Sequence, residues 1–178
     1  MEAIFNFVNS KKINVITTGG TIEKVYDEKK GVLKNKKNLI EAYIRNYLRL
    51  PYTDIEVYPV LAKDSLDFNI EDKDLILSTV CYVQEKLDPI VIIHGTDTLE
   101  ISAKQCLLQL NTIKVPIVFT GAMWPVELNK SDAMQNIAES LLAAKFLKSG
   151  VYVSFHGQIF DADNVKKNYS TGTFEVYH

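Results

Sequence analysis

Very little in the chain would tie it to a metal, a membrane or an oxidising compartment. Among its 178 residues are two cysteines, Cys81 and Cys106, and three histidines. No His, Cys, Asp and Glu grouping has metal-ligand spacing, so no metal and no cofactor is expected. Both cysteines fall in helix-like segments and are read as buried free thiols of a reducing compartment, not as a disulfide. No apolar run approaches the 18 residues of a membrane span. The start, "MEAIFNFVNSKK", has an acid at position 2 and no basic leader. It lacks the parts of a signal peptide, which makes the cytoplasm the expected location.

Neither sign of charge dominates. The 20 Lys plus Arg nearly balance 22 Asp plus Glu, for a formal charge of -2. That balance gives no general attraction to nucleic acid. The basic run "KKGVLKNKKN" is the local exception and reads as a solvated face.

Apolar strands and helix-like segments, by contrast, recur in a regular order. "INVITTGG" reads as a buried strand opening into a glycine turn. "NLIEAYIRNYL" follows as a helix with a capping spacing from Asn38 to Glu41. "DIEVYPVL" is a second strand and "NIEDKDLILSTVCYVQEKL" a second helix. "PIVIIH" is almost wholly apolar and reads as a central parallel strand covered on both faces. "DTLEISAKQCLLQL" repeats the capping spacing from Asp97 to Glu100 and turns Ile101, Cys106, Leu107 and Leu110 toward the sheet. "VPIVFT", "SDAMQNIAESLLAAKFLKSG" and "VYVSFH" complete the series. Strand followed by helix, repeated, predicts an α/β fold with a doubly wound, mainly parallel sheet and helices on both faces.

In such a fold the ligand lies outside the carboxyl ends of the strands. Those ends carry "TTGGT", "KDS", "HGTDT" and "TGAM", so polar and glycine-rich turns converge on one edge. A nucleotide site is not expected there, because "TTGGTIEK" has neither the G-x-G-x-x-G spacing nor a G-K-S/T ending. Hydroxyl chemistry fits better. A threonine held on a glycine turn becomes a nucleophile if a neighbour takes its proton. Thr21 is that candidate, and Thr96, Asp97, Lys166 and Lys167 are candidate partners. Taken singly, Asp97 serves as well for a helix cap, and Thr21 for a hydrogen bond within its turn.

The ordered set "TTGGTIE", "DSLDF", "HGTDTLE", "TGAMWP" with "SDAMQNI", and "VKKNYSTGTF" resembles the amino-terminal domain of bacterial-type L-asparaginases over residues 12 to 176. The resemblance implies hydrolysis of the side-chain amide of asparagine, or of a related small amide, to the acid and ammonia. It implies Thr21 as nucleophile, Tyr26 as the tyrosine of its mobile loop, and a second group of Thr96, Asp97 and Lys167. Gly20, Asp64, Ser65, Gly95, Asp97 and Ala122 would surround the substrate, Ser65 at its α-carboxylate and Asp97 at its α-ammonium. Tyr26 lies closer to Thr21 than the family pattern has it, so the 22–38 loop is expected to close differently.

A single domain over 1–178 is expected, with residues 1–11 as an N-terminal extension and without the family's carboxyl-terminal domain. The resemblance is to the short, single-domain members. A homodimer or tetramer is expected to complete the site, with the stripe Ala138, Leu141, Leu142 and Leu147 as a candidate helix contact. The alternative reading is a non-catalytic or weakly catalytic amino-acid-binding module. Trp124 reads as packing between loop and helix, Met123 and Met134 as filler, and His94 and His156 as structural.

Overall fold

A computed structural model describes residues 12–177. The extension expected over 1–11 lies outside the described residues. Strand β1 (Lys12–Gly19) leads through a single 3-10 turn, Thr21–Glu23, into a hairpin of β2 (Lys24–Asp27) and β3 (Val32–Asn35). Helix α1 (Leu39–Tyr47), β4 (Asp54–Lys63), α2 (Ile70–Gln84), β5 (Ile90–Ile93), α3 (Leu99–Gln109), β6 (Pro116–Thr120), α4 (Ala133–Phe146) and β7 (Gly150–Phe155) follow. The chain then forms β8 (Gln158–Asp161), β9 (Lys166–Asn168) and β10 (Thr173–Glu175).

The main sheet has the order β4-β1-β5-β6-β7-β8. All its pairings are parallel except the last, β7 with β8. Strands β1, β5 and β6 divide their side chains between two cores, because successive Cβ atoms point to opposite faces. On β5, Ile90 and Ile92 join Val80, Val83, Leu99, Ala103 and Cys106 from α2 and α3. Val91 and Ile93 join Ile40, Ile44, Ile137, Leu141 and Ala144 from α1 and α4. Burying one such Ile or Val stabilises by about 1.5–3 kcal/mol, so these alternating pairs fix the register. The doubly wound α/β reading is therefore realised, with helices on both faces.

Several local expectations change in the structure. Asn38 precedes α1 in a left-handed conformation, with φ 63, and makes no side-chain cap. Asp97 does not cap α3 either, since Thr98 occupies that position. The capping box that forms is at α2, where Asn69 and Asp72 bond each other's backbone N–H. Ile101 faces solvent, while Leu99 and Ala103 take the inward positions. Cys106 is buried as expected, and burial pushes its thiol up to about 12, but Cys81 is exposed on α2. Leu142 is exposed as well, whereas Leu141 beside it is in the core. The 22–38 segment expected as a loop contains an antiparallel hairpin, pairing Tyr26 with Leu33.

One core residue has no physical reason to be polar. Asn14 is fully buried on β1, on the face of Ile16, and neither its Oδ1 nor its Nδ2 has a partner. Two unpaired buried polar atoms cost more than a strand-compatible methyl pair would. Asn14→Val is expected to raise unfolding free energy by about 1 kcal/mol, read as a higher urea midpoint at unchanged slope.

Candidate active site

Glycines let the strand-end turns touch. Gly20 has φ +84, and a Cβ there would lie 2.3 Å from Gly95 Cα. Gly20 N–H donates to the Lys63 carbonyl at 2.9 Å, which ties the turn after β1 to the end of β4. A Cβ on Gly95 would lie 2.6 Å from Ser65 Oγ. The Gly20, Gly95 and Ser65 segments are thus in direct contact, with Thr21 next along the chain from Gly20. Ser65 is buried and its Oγ has no partner. Ala122 is buried beyond the end of β6.

Lys167 joins the second group. Its Nζ donates to Thr96 Oγ1 at 2.9 Å and to Asp97 Oδ1 at 2.7 Å. The lysine side chain is only 8% exposed and that of Asp97 33%, so the ammonium is covered while its counter-ion keeps contact with water. The Tyr169 ring lies 4.9 Å from Nζ. Glu100, on the first turn of α3, is half-buried, and burial raises its pKa beside Lys167 and Asp97. Thr96, Asp97 and Lys167 therefore meet, as their motifs suggest.

Two expected residues are placed otherwise. Asp64 accepts from Lys24 Nζ at 2.5 Å, linking the base of the hairpin to the turn after β4. Tyr26 is 63% exposed, and its hydroxyl lies over Gly31 at the hairpin tip, 4.0 Å from where a Cβ of that glycine would be. Asp27 holds this tip through the N–H groups of Lys29 and Lys30 and through Lys34 Nζ.

A polar network behind the site was not legible in the sequence. Asp132 accepts from the N–H groups of Met123 and Trp124 at 3.0 and 3.1 Å, holding the loop after β6. It also faces His156 Nε2 at 2.9 Å, and His156 Nδ1 faces Thr173 Oγ1 at 3.0 Å. Thr173 pairs with Asn168 across β9–β10, the ribbon that carries Lys167. Asn136 extends the tie, donating to the Gly121 carbonyl at 3.0 Å and accepting from His156 N–H at 3.0 Å. His156 is structural in this sense, a bridge between the Gly121 loop and the Lys167 ribbon. The one available signal was the Asp132/Asn136 spacing at the start of α4, which places both on one helix face.

His94 is fully buried between Phe68 and Phe119, with Nδ1 2.9 Å from the Gly95 carbonyl. Burial pushes its pKa down to about 4, so the imidazole is neutral near pH 7. Trp124, expected as packing between loop and helix, is 51% exposed. Among the described residues no cluster of three or more His, Cys, Asp or Glu could hold a metal ion, and no helix is long and apolar enough to cross a membrane.

A doubly wound, mainly parallel sheet with Thr96, Asp97 and Lys167 gathered at its strand ends defines an α/β protein with a polar cluster on that edge. The chain belongs to the asparaginase family: residues 12–176 match the model described as Asparaginase, N-terminal. It is 34% identical over 163 residues to the L-asparaginase of Thermococcus kodakarensis, covering 90% of this chain and 49% of that protein. It is 32% identical over 165 residues to a glutamyl-tRNA(Gln) amidotransferase polypeptide of Methanobrevibacter smithii, covering 90% of this chain and 37% of that one. The solved structure of the thermostable Thermococcus kodakarensis enzyme superposes with a TM-score of 0.82 at 31% identity, over 93% of this chain and 51% of the other. The chain thus spans about half the length of these relatives, or less.

Proposed function

We propose that the chain hydrolyses the side-chain amide of asparagine or a related small amide to the acid and ammonia. The observation that carries this reading is the Lys167 contact with both Thr96 Oγ1 and Asp97 Oδ1 in a chain of the asparaginase family. In the proposed course, Thr21 Oγ adds to the amide carbon and its proton goes to the leaving nitrogen. The C–N bond breaks, ammonia departs and an ester on Thr21 remains. A water then adds to that ester, giving its proton to Thr96 Oγ1, whose own proton passes to the departing Thr21 oxygen while the Lys167 ammonium holds Thr96 in place. Collapse returns the proton to Thr21 and releases the acid, so the net reaction is amide plus water to acid plus ammonia. Asp97 holds Nζ in line, and Ser65 Oγ, buried beside Gly95 without a partner, is available to the substrate's α-carboxylate.

The test is ammonia release from asparagine and glutamine by wild type, Thr21→Ala and Thr96→Ala. Each substitution is expected to lower kcat at least ~100-fold, the smaller end of what a positioned proton-transfer group contributes. Wild type no faster than both variants would overturn the reading, and calorimetry then separates the outcomes: binding of aspartate or asparagine without turnover makes the chain an amino-acid-binding module. The amidotransferase relatives favour a second reading, in which the amide nitrogen is passed to an acceptor instead of being released. Under that reading, adding the acceptor makes the amide consumed exceed the ammonia released, and equal amounts of the two rule it out.

A further inference from the structure

Histidine is an unfavourable residue for the turn between β7 and β8. His156 and Gly157 alone join Phe155 to Gln158, with φ 47 and 78. Such a two-residue hairpin favours asparagine or glycine at its first position, because a larger side chain resists positive φ. A strained conformation of this kind persists where its surroundings hold it, and it points to a use for the side chain. Three residues at and beyond the start of α4 do the holding: Asp132, Asn136 and Glu139, spaced four and three apart so that they share one helix face. Asn136 Oδ1 accepts from His156 N–H at 3.0 Å, and Glu139 Oε2 accepts from Gly157 N–H at 2.8 Å.

The ring so held spans two parts of the site. Its Nε2 faces Asp132 Oδ2 at 2.9 Å and its Nδ1 faces Thr173 Oγ1 at 3.0 Å. A neutral ring with its proton on Nε2 makes both bonds, donating to the carboxylate and accepting from the hydroxyl. Asp132 is fixed in turn by the N–H groups of Met123 and Trp124 and by Asn136 Nδ2. On the other side, Thr173 lies opposite Asn168 and Phe174 opposite Lys167. The β9–β10 ribbon is a two-stranded sheet of its own, with no ladder bonds to the main sheet among the described residues. Side chains therefore set its distance from the strand ends, among them Phe174 against Phe155, with ring centroids 4.9 Å apart, and Thr173 on His156.

We propose that His156 is a positioning residue for Lys167. Its ring, held between Asp132 and Thr173, fixes how far the ribbon stands from the loop after β6, and so where Lys167 Nζ meets Thr96 Oγ1 and Asp97 Oδ1. The Phe155–Phe174 contact is apolar and non-directional, which lets the ribbon slide. The two bonds of the ring fix direction as well as distance. The proposal rests on Lys167 holding Thr96 in the hydrolytic reading.

The experiment compares wild type, His156→Asn and Thr173→Val, each alone and combined with Lys167→Met, by urea unfolding, by kcat and KM, and by NMR of the Lys167 ε-methylene. The Tyr169 ring, 4.9 Å from Nζ, makes that resonance sensitive to position. Asparagine suits the left-handed position but has no atom in place of Nε2, so the Asp132 bond is lost while the turn is kept. Valine matches threonine in shape and cannot bond Nδ1. Both variants should unfold near the wild-type midpoint. Both should move the Lys167 resonance toward that of a solvated lysine and lower kcat about tenfold at nearly constant KM, part of the ~100-fold that a 1 Å misplacement costs. In the Lys167→Met background neither should slow the residual rate further, because the group they position is gone. A Lys167 resonance that stays in place in both variants overturns the proposal. So does a kcat that is unchanged, or one that falls by the same factor in both backgrounds, which would mark a turn that serves the fold alone. If the resonance moves but wild type hydrolyses no amide, the positioning of Lys167 stands and the hydrolytic reading fails.

Discussion

Lys167→Met is expected to lower kcat for amide hydrolysis about a thousandfold while leaving the fold in place. Methionine has nearly the length of the lysine stem, so the covered methylenes keep their contacts and only the ammonium is lost. That ammonium bridges Thr96 Oγ1 and Asp97 Oδ1, and without it the Thr96 hydroxyl is not held in line for its proton relay and Asp97 loses its counter-ion. Positioned proton transfer contributes about 10²–10⁴-fold, and hydrolysis of the Thr21 ester draws on it. Stability is expected to change by only about 1 kcal/mol: Asp97 can turn to water, and removing a covered ammonium offsets part of the lost pairing. Steady-state kinetics with a thermal melt on the same preparation checks both halves. A kcat within tenfold of wild type would remove Lys167 from the reaction.

Gly20→Ala is expected to destabilise by about 4 kcal/mol and to abolish turnover with it. Gly20 lies at φ +84 and ψ -175, a region open to glycine almost alone. The added Cβ would also sit 2.3 Å from Gly95 Cα and 2.6 Å from Gly95 N. These are backbone atoms that no rotamer change can move, so the Thr21 turn must separate from the Thr96 turn. Backbone strain of about 1–3 kcal/mol adds to an overpacking cost of similar size, and a shift of about 1 Å at the reacting hydroxyl costs ~100-fold in rate. Gly172→Ala is the control. That glycine also has positive φ, +63, but a Cβ there meets nothing within 4 Å, so only the conformational cost of about 1 kcal/mol remains. Urea unfolding of the two variants separates the terms, and equal destabilisation would show that the approach of the two turns does not matter.

The two capping boxes read at Asn38/Glu41 and Asp97/Glu100 show where local reading fails. Asp97 has the right spacing for a cap, but a lysine 70 positions later takes its carboxylate. Asn38 is fed by the hairpin return and enters α1 in a left-handed conformation, which turns its side chain away from the cap. At Asn69/Asp72 the box forms while Lys63 Nζ also reaches both Asp72 oxygens at 2.8 Å, because a carboxylate can accept from the Asn69 N–H and the lysine together. Spacing specifies which bond is available, and the fold selects among the available bonds. The strands β8, β9 and β10 escaped for another reason: they are three or four residues long and at least half polar, too short for a period of two to stand out.

The alternation of the five parallel strands with four helices, the two-faced core and the candidate threonines were readable along the chain. They depend on side-chain period, β-branching and glycine placement, which act within a few residues of one another. Which polar groups meet was settled by the fold. Nothing along the chain marks Glu23 for burial, and His156, read as structural, gains its partners only where β10 brings Thr173 to it and the start of α4 brings Asp132. The physical reason is that burial patterns repeat locally, whereas a hydrogen bond needs two atoms within about 3 Å in space, and only the sheet order brings such residues together.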